Sequence, residues 1–559
     1  MLDYQRLAEL LFPQITTTTA DMEARFPQRV LPEGAKVTRF APSPTGFVHF
    51  GGLFPTTVAE RLAHQSGGVL YLRIEDTDAK REVPGAAEAL IKTLATYGIE
   101  FDEGAIIGED GKICDKGIYG PYKQSMRAEI YQTYAKQLVL EGKAYPCFTS
   151  EEELEEIHAI DKKAEIKNTD WQAEAEARQA EKLARRAITM EEIEENIAKG
   201  NPFVLRILAD GDPEKKIKFT DLVKGNMEIP ENDEDFVLLK SDGIPTYHFA
   251  HAIDDHLMGT THVIRGEEWL SSLPMHVELF GALGWQMPIY CHTATLIKME
   301  GTGKRKLSKR KDPELALSYY QQEGISADSI WEFLLTVLNS NFEEWRIANP
   351  DADYRDFPYT LEKMSISGAL VDLDKLRNIS KDVIGRMTAE NVYKNWLSWC
   401  EEYDQTFAEL IKKYPERTVA ALNVGKGGNK PRKDLETWKQ ACVFMSFYYD
   451  ETFSVADEMP EECDEETRKL FFAKYLESYD HADDSSAWFD KVKTITDELG
   501  FAVKPKDYKK NPDQFKGSIV HITNMLRIAL TGRANAPDIH EVSHVLGEDI
   551  VRNRIKNWL

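Results

Sequence analysis

The sequence predicts an α/β protein in its N-terminal part, followed by an all-helical region. From Val37 to about Asp115, strand-like, loop and helix-like segments alternate, which is typical of a parallel sheet with crossover helices. Beyond about residue 386 the pattern is helical and rich in aromatic residues, as in Trp396–Trp399 and Phe444–Tyr449. We interpret these aromatic residues as core. With 559 residues, the chain is long enough for about three or four domains.

Short apolar runs indicate the individual strands of the predicted sheet. Val69–Ile74 is a continuous apolar run apart from Arg73, as expected for a buried strand, and Glu75 follows its carboxyl end. Ligands of open parallel sheets bind at that end of the strands. Phe236–Lys240 and His262–Arg265 are expected to form the second half of the same sheet.

Residues from about 116 to 235 interrupt the sheet pattern, and we interpret them as an insertion. They include two charge-rich helical stretches, Met126–Glu141 and Glu151–Lys199, and then the strand-like Phe203–Leu208. At the other end, residues 1–35 predict a short amphipathic helix and a linker rich in threonine, Thr16–Thr19. We assign no chemistry to this N-terminal extension.

Composition excludes several classes of protein. The apolar share is 42%, which supports real cores, and no run of about eighteen apolar residues predicts a membrane span. The first residues lack a basic segment followed by an apolar one, so we expect no secretory signal. Six cysteines lie far apart without metal-ligand spacing, which predicts free thiols, a cytoplasmic protein and no zinc.

The net charge of −25 argues against a general nucleic-acid binder. Binding depends on the local face, however, and basic residues cluster in Lys304–Lys311, Lys504–Lys516 and Arg552–Lys556. Charge therefore leaves binding of a particular nucleic acid open.

The segment Arg39–Gly52 predicts a phosphate-binding loop. A strand ends, a loop rich in proline and glycine follows, and His49 precedes Gly51 and Gly52 at the start of an apolar helix. Glycine lets the backbone approach a phosphate closely, and the amides of a helix N-terminus attract an anion. His49 can donate an N–H to a phosphate oxygen. Alone, such a motif is more commonly an ordinary turn before a helix.

A second phosphate-binding element is the basic run Lys304–Lys311, in which six of eight residues are cationic. Gly301 and Gly303 precede it, so it suits a mobile lid over leaving pyrophosphate. An isolated basic run is more commonly a solvated surface loop. Together, in this order, the two motifs predict a site that activates ATP.

These motifs resemble those of the class I aminoacyl-tRNA synthetases. His49-Phe50-Gly51-Gly52 is similar to their HIGH signature, and Lys306-Leu307-Ser308-Lys309-Arg310 is similar to their KMSKS signature. Further stretches resemble the bacterial-type glutamyl-tRNA synthetases specifically: Arg39–Gly46, Arg73–Asp78, Pro245–His248 and Thr261–Glu267. The resemblance extends from about Lys36 to the C-terminus.

The resemblance implies a Rossmann-type catalytic domain with an insertion that holds the tRNA acceptor end, followed by a helical anticodon-binding region. The expected domains are the extension 1–35, the first Rossmann half 36–115, the insertion 116–235, the second half with the KMSKS-like loop 236–313, a helical stem-contact region 314–385 and the anticodon-binding domain 386–559.

The resemblance also assigns roles around ATP. It makes His49, Lys306 and Lys309 catalytic, through charge stabilisation as pyrophosphate leaves. Mg²⁺ would arrive with the nucleotide, so no metal ligand from the protein is expected. Other residues implied to bind ATP are Gly51, Gly52, Glu267, Glu268, Trp269, Leu307, Ser308 and Arg310.

For L-glutamate, the resemblance implies that Arg39, Tyr247 and Arg265 face the side-chain carboxylate. A bidentate guanidinium contact would favour glutamate over glutamine, whose amide presents donors to another donor. Glu75 would bind the ammonium group with help from Ser43. Ala41 and His251 complete the predicted pocket, although the family often has Asn at the position of His251.

The implied activity is ATP-dependent formation of glutamyl-adenylate and transfer of glutamate to the 3′ end of tRNA(Glu) by a monomer. In this family, activation commonly requires bound tRNA. The alternatives are a form that also charges tRNA(Gln), a glutaminyl-tRNA synthetase, a truncated enzyme that glutamylates a tRNA base, a small-molecule nucleotidyltransferase and a non-enzymatic tRNA-binding paralogue. Arg265 argues against a glutaminyl-tRNA synthetase, and the length of the helical C-terminal region argues against the truncated enzyme.

Overall fold

A computed structural model describes the chain except Met1, Phe47, Ala79, residues 149–170, residues 309–310, Ser367, residues 427–431 and the side chains of residues 171–178. The predicted roles of Lys309 and Arg310 and the first part of the predicted helix Glu151–Lys199 therefore lie outside the described residues.

Fourteen strands are present in the described residues: β1 Val37–Phe40, β2 Val69–Leu72, β3 Glu103–Ile107, β4 Ile113–Lys116, β5 Ala144–Cys147, β6 Val204–Ile207, β7 Lys216–Asp221, β8 Gly225–Pro230, β9 Val237–Leu239, β10 His262–Gly266, β11 Ile289–Thr293, β12 Leu296–Glu300, β13 Gly303–Lys306 and β14 Ala369–Leu370.

The α-helices in the same residues are α1 Tyr4–Leu11, α2 Thr19–Arg25, α3 Phe50–Gln65, α4 Ala86–Thr96, α5 Ala128–Leu140, α6 Trp171–Arg186, α7 Met190–Ala198, α8 Tyr247–Leu257, α9 Leu273–Leu283, α10 Leu317–Glu323, α11 Ala327–Leu338, α12 Phe342–Ala348, α13 Leu373–Arg386, α14 Ala389–Tyr403, α15 Gln405–Lys413, α16 Pro415–Asn423, α17 Trp438–Met445, α18 Glu465–Ser478, α19 Ser485–Glu498, α20 Pro505–Lys510, α21 Ile519–Thr531, α22 Ile539–Leu546 and α23 Glu548–Lys556.

The chain divides into two compact units. The first contains residues 1–317 and 334–372, and the second contains residues 318–333 and 373–559. The predicted stem-contact region, 314–385, contributes residues to both units.

A parallel sheet forms the centre of the first unit. β1, β2 and β3 run parallel, with Arg39 opposite Tyr71, and β4 is antiparallel at the edge. β10 and β11 form a second parallel pair, and the N–H of Thr261 donates to the carbonyl of Val37 at 3.0 Å, beside β1. This arrangement of parallel strands joined through helices confirms the predicted α/β fold. It also brings the carboxyl ends of β1, β2 and β10 to one edge.

The helix after β1 forms because its apolar residues are buried along most of its length, from Phe50 to Ala63. Its N-cap is His49, whose side chain makes no capping hydrogen bond. At the other end, the Nδ1 of His64 lies 2.9 Å from Glu60 and its Nε2 lies 3.1 Å from Asp102. The helix therefore presents its N-terminus at the carboxyl end of β1 and is held at its C-terminus by an imidazole between two carboxylates.

This imidazole gives a stability prediction. Hydrogen bonds to Asp102 and then Glu60 raise the pKa of His64 from 6.5 to about 9. The protonated ring therefore stabilises the fold fully below pH 6.5, and that contribution is lost as the pH rises through about 9. We expect the difference in thermal unfolding temperature between wild type and His64→Gln to shrink steadily from pH 6 to pH 10. A difference that does not change with pH would contradict the ion pair.

Two small sheets are built from strands in the predicted insertion, one of them together with β9 just beyond it. β5, β6 and β9 form one, and β7 and β8 form an antiparallel hairpin. The prediction that Phe236–Lys240 continues the central sheet is wrong, because β9 pairs antiparallel with β6. After the β7–β8 hairpin the chain returns alongside β6, and β9 pairs with the edge of β6 that β5 leaves free, so the backbone groups of both strands are satisfied.

The N-terminal extension contains two helices where the sequence predicted one. Thr18, in the expected linker, caps the second helix, and its side chain accepts from the N–H of Asp21 in a capping box. Arg29 then donates to both carboxylate oxygens of Glu103 at 2.8 Å and to the carbonyl of Met258 at 2.7 Å. The extension is thereby tied to β3 and to the C-terminal end of α8.

The second unit is helical and has one large hydrophobic core. Trp396, Tyr448 and Tyr449 are fully buried in it, which confirms the interpretation of the aromatic-rich stretches as core. None of the helices that the structure describes has the length and apolar character to cross a lipid bilayer.

Candidate functional site

The largest group of predicted site residues lines a cavity of about 530 Å³ in the first unit. Arg39 comes from the end of β1, Tyr247 from the start of α8 and Arg265 from β10. The remaining predicted residues on its wall are Ala41, Ser43, Gly51, Glu75, Glu268 and Trp269. The structure thus brings together most of the residues predicted for glutamate and part of those predicted for ATP.

Arg265 is held by imidazoles and a carbonyl. Its Nε donates to Nε2 of His292 at 2.9 Å, and its Nη1 lies 3.2 Å from Nδ1 of His276. Its Nη2 donates to the carbonyl of Trp269 at 3.4 Å, and the guanidinium lies 4.7 Å from the ring centre of Tyr290. Within the described part of the chain, Arg265 forms no ion pair with a carboxylate. These contacts hold the guanidinium without pairing it to a carboxylate of the described residues.

The surrounding histidines are neutral. Burial, together with the charge of Arg265, lowers the pKa of His248 to about 4. Burial also lowers the pKa of His292, and it lowers the pKa of His276 well below its ordinary value. The Nδ1 of His248 lies 2.9 Å from Nε2 of His276, so one imidazole orients the next. Arg265 is thus the cationic side chain of this cluster.

Sequence reasoning missed a buried ionic network beside Arg265. Asp255 is fully buried and accepts from Nε of Arg39 at 3.2 Å and from Nη1 of Arg73 at 2.7 Å. Arg73 also donates to Glu75 at 3.0 Å. Burial raises the pKa of Glu75, and the charge of Arg73 opposes that shift. The sequence did contain one sign of this network, since Arg73 and Glu75 belong to the motif Arg73–Asp78.

His251 lies behind the cavity wall. It is fully buried, its Nε2 lies 2.9 Å from the hydroxyl of Tyr290, and its Nδ1 lies 2.7 Å from Asp255. Its ring stacks on Tyr247 with the planes 6° apart. Tyr247 in turn packs on Trp269, with ring centres 4.4 Å apart. His251 therefore contacts the residues of the cavity wall and does not itself line the larger cavity.

A second cavity, of about 250 Å³, collects the phosphate-binding candidates. Its walls include His49 and Gly51 from the start of α3, Glu268, and Lys306 and Leu307 from the basic loop. A Cβ on Gly51 would lie 3.0 Å from Nδ1 of His49, tighter than ordinary contact. Gly51 and Glu268 line both cavities, so the two are neighbours.

Asp312 organises the described part of the basic loop. Arg305 donates to both of its oxygens at 2.7 Å, Lys298 lies 3.1 Å from it, and the N–H of Ser308 donates to it at 2.8 Å. Hydrogen bonds, first from Arg305, hold the pKa of Asp312 well below its ordinary value. Arg305 is therefore an anchor of the loop, whereas Lys306 faces the smaller cavity.

Two other predicted site residues, Gly52 and Glu267, do not line either cavity. Glu267 accepts from Lys224 and from the N–H of Thr295, and although burial opposes it, these bonds lower its pKa to about 2. A Cβ on Gly52 would face the ring of Phe40, at 3.6 Å. Among the residues that the structure describes, no group of three or more histidine, cysteine or acidic side chains is arranged to hold a metal ion.

Comparisons with known proteins agree with this geometry. The family model described as "tRNA synthetases class I (E and Q), catalytic domain" matches residues 36–357, and an anticodon-binding domain model matches residues 512–559. The chain is 50% identical to the glutamate--tRNA ligase of Acetivibrio thermocellus and 46% identical to that of Clostridium perfringens, with 100% of each chain covered in both comparisons.

A solved structure is similar over nearly the whole chain. It is a glutamate tRNA ligase from Elizabethkingia meningosepticum in complex with its amino acid, 25% identical, with a TM-score of 0.72. The match covers 94% of this chain and 99% of that chain. Sequence family, full-length relatives and fold agree, and the chain belongs to the class I tRNA synthetases of the glutamate and glutamine (E and Q) family.

Proposed function

We propose that the protein is a glutamate--tRNA ligase. It activates L-glutamate with ATP to glutamyl-adenylate and transfers the glutamyl group to the 3′ end of tRNA(Glu) for protein synthesis. Support comes from the names of the full-length relatives and from the residues that line the two cavities.

The observation that carries the proposal is that Arg265 is buried without a carboxylate partner among the described residues. This side chain is only 6% exposed, and a buried cation without an anion is costly. A carboxylate from a ligand in the larger cavity would compensate it with charge-assisted hydrogen bonds. Glutamine would present an amide N–H₂ to the same guanidinium, and a donor that faces a donor makes no bond. Glu75, on the wall of the same cavity, is suited to the ammonium group of the amino acid.

The chemistry of the first step needs positioning and charge stabilisation. The α-carboxylate of glutamate is already ionised, so it can attack the α-phosphorus of ATP in line as pyrophosphate leaves. His49 and Lys306, on the walls of the smaller cavity, are placed to donate to phosphate oxygens as negative charge develops. Mg²⁺ would enter with ATP and neutralise charge on the phosphates. We propose Lys309 for the same role.

In the second step, a ribose hydroxyl at the 3′ end of tRNA attacks the carbonyl carbon of the adenylate and AMP leaves. We propose that the helical region around residues 512–559 contributes to recognition of the anticodon. We further propose that the enzyme is a cytoplasmic monomer. The structure records all six cysteines as free thiols, five of them buried, which suits a reducing compartment.

The test is aminoacylation of purified tRNA(Glu) and tRNA(Gln) with labelled glutamate and ATP, beside a control enzyme known to be active. Charging of tRNA(Glu) alone supports the proposal as stated. Charging of both tRNAs supports glutamate activation and overturns the restriction to tRNA(Glu). Charging of neither overturns the proposed function.

A further inference from the structure

We propose that Asp221, on the β7–β8 hairpin, is a positioning residue that acts through His292 to aim Arg265 at the carboxylate of glutamate. This inference rests on the proposed function, and it assigns a role in amino-acid selection to a side chain outside the larger cavity. Asp221, His292 and Arg265 are all buried and form a continuous line of contacts.

Asp221 ends β7 and is 1% exposed. Its Oδ1 accepts from the N–H groups of Val223 at 2.9 Å and Lys224 at 2.8 Å, which shapes the turn of the hairpin. Its Oδ2 lies 2.7 Å from Nδ1 of His292 and accepts from the N–H of the same residue at 3.1 Å. Both carboxylate oxygens are therefore used, and one of them faces the imidazole.

The two neighbours of His292 impose one tautomer. An ionised carboxylate only accepts hydrogen bonds, and the guanidinium of arginine only donates them. The ring must therefore carry its proton on Nδ1, towards Asp221, and keep its lone pair on Nε2, 2.9 Å from Nε of Arg265. Burial opposes ionisation of Asp221, yet the bonds from His292 and from the turn hold its pKa below its ordinary value. The carboxylate is thus ionised and the imidazole is neutral at neutral pH.

An isosteric change at Asp221 would reverse this polarity. In Asp221→Asn, the amide oxygen can keep the turn bonds, and the amide N–H₂ then faces Nδ1 of His292. The ring must accept there, so its proton moves to Nε2 and faces the N–H of Arg265. Turning the amide around would instead place the N–H₂ against the two N–H groups of the turn. Each arrangement sets donor against donor, so a bond in the line is lost.

The hairpin is joined to the pocket at more points than this line. The N–H of Leu222 donates to the carbonyl of Tyr290 at 3.0 Å, and Tyr290 lies under the guanidinium of Arg265. Phe219 and Ile229 of the hairpin share a hydrophobic cluster with Tyr290. Asp221 therefore stands where the hairpin of the inserted segment meets the residues that hold Arg265.

The experiment compares Asp221→Asn with wild type in glutamate-dependent ATP–pyrophosphate exchange, with tRNA(Glu) present. We expect KM for glutamate to rise about 10- to 100-fold, the range for loss of a hydrogen bond to a charged group. The kcat and the KM for ATP should change less than about threefold. Asp235→Asn is the matched control, because Asp235 is also a buried carboxylate of the inserted segment but accepts from Tyr145 and Arg186. This control should leave KM for glutamate unchanged.

Two further readouts separate positioning from general damage. Nitrogen-15 NMR of histidine-labelled protein should show the proton of His292 on Nδ1 in wild type and on Nε2 in Asp221→Asn. In a His292→Ala background, Asp221→Asn should add less than about twofold to KM, because the line is already broken. If Asp221→Asn does not fold, His292→Ala alone should show the same rise in KM.

Several outcomes would overturn the inference. If wild type is active and Asp221→Asn has an unchanged KM for glutamate, the inference is overturned and the proposed function stands. The inference is also overturned if the effects of Asp221→Asn and His292→Ala on KM are fully additive, or if Asp221→Asn leaves the tautomer of His292 unchanged. A wild type that charges neither tRNA would overturn the proposed function and this inference together.

Discussion

Replacing Arg265 by alanine is expected to abolish the selection of glutamate over glutamine. In wild type the guanidinium is held by His292, His276 and the carbonyl of Trp269, and no carboxylate of the described residues compensates it. Its removal leaves Arg39, whose charge is paired with Asp255, and otherwise neutral groups for the substrate carboxylate. We expect kcat/KM for glutamate to fall about 1,000-fold or more, and discrimination against glutamine to shrink to within about tenfold.

The measurement is pyrophosphate exchange with glutamate and with glutamine, in the presence of tRNA. Arg265→Lys is the informative control, because it keeps the charge and loses the planar fork, so it should lose affinity and retain a preference for the carboxylate. Thermal unfolding of both variants shows whether the pocket survives. Unchanged discrimination against glutamine in a folded Arg265→Ala enzyme would refute the assigned role.

Replacing His49 by alanine is expected to slow formation of the adenylate far more than it weakens glutamate binding. His49 lies at the N-terminus of α3, on the wall of the cavity that also contains Lys306. A donor aimed at charge that develops in the transition state contributes mainly to kcat. We expect the single-turnover rate of adenylate formation to fall about 100- to 1,000-fold, with less than about threefold change in KM for glutamate.

The matched control is His64→Ala, on the same helix. His64 lies fifteen residues further on, about 22 Å along the helix axis, and its ring contacts Glu60 and Asp102. At neutral pH this variant should lose stability and keep its rate of adenylate formation. A His49→Ala enzyme whose glutamate KM rises while its single-turnover rate is unchanged would remove His49 from the chemistry.

Elements with a strong local signal were predictable from the sequence. The strand predicted over Val69–Ile74 is present over Val69–Leu72, and the apolar helix predicted at Gly51 and Gly52 is present over Phe50–Gln65, because each carries its apolar pattern within consecutive residues. β9 was also expected as a strand, but its partner was not. Pairing is a property of two segments, and the apolar character of Val237–Leu239 is equally suited to the central sheet and to β6.

In the candidate site, too, the features with a local signal were predictable and the pairing of distant residues was not. Residue types and spacing were enough to indicate the glycine pair before α3, the basic loop and the arginines at strand ends, because each of these chemistries depends on a few neighbouring residues. Loops 304–308 and 39–52 indeed supply walls of the two cavities, and the predicted roles of the individual residues stay proposals.

The state of each charge depended on distant partners that no spacing along the chain reveals. Arg39 and Arg265 look equivalent in the sequence, yet packing places Asp255 beside the first and neutral imidazoles beside the second. His251 resembles a ligand-binding residue by position, yet the helix turns it behind Tyr247. Burial and hydrogen bonding decide whether a charged side chain is satisfied within the protein or left for a substrate. Both depend on which segments pack together, whether they are 27 residues apart, as Arg265 and His292 are, or 216 residues apart, as Arg39 and Asp255 are.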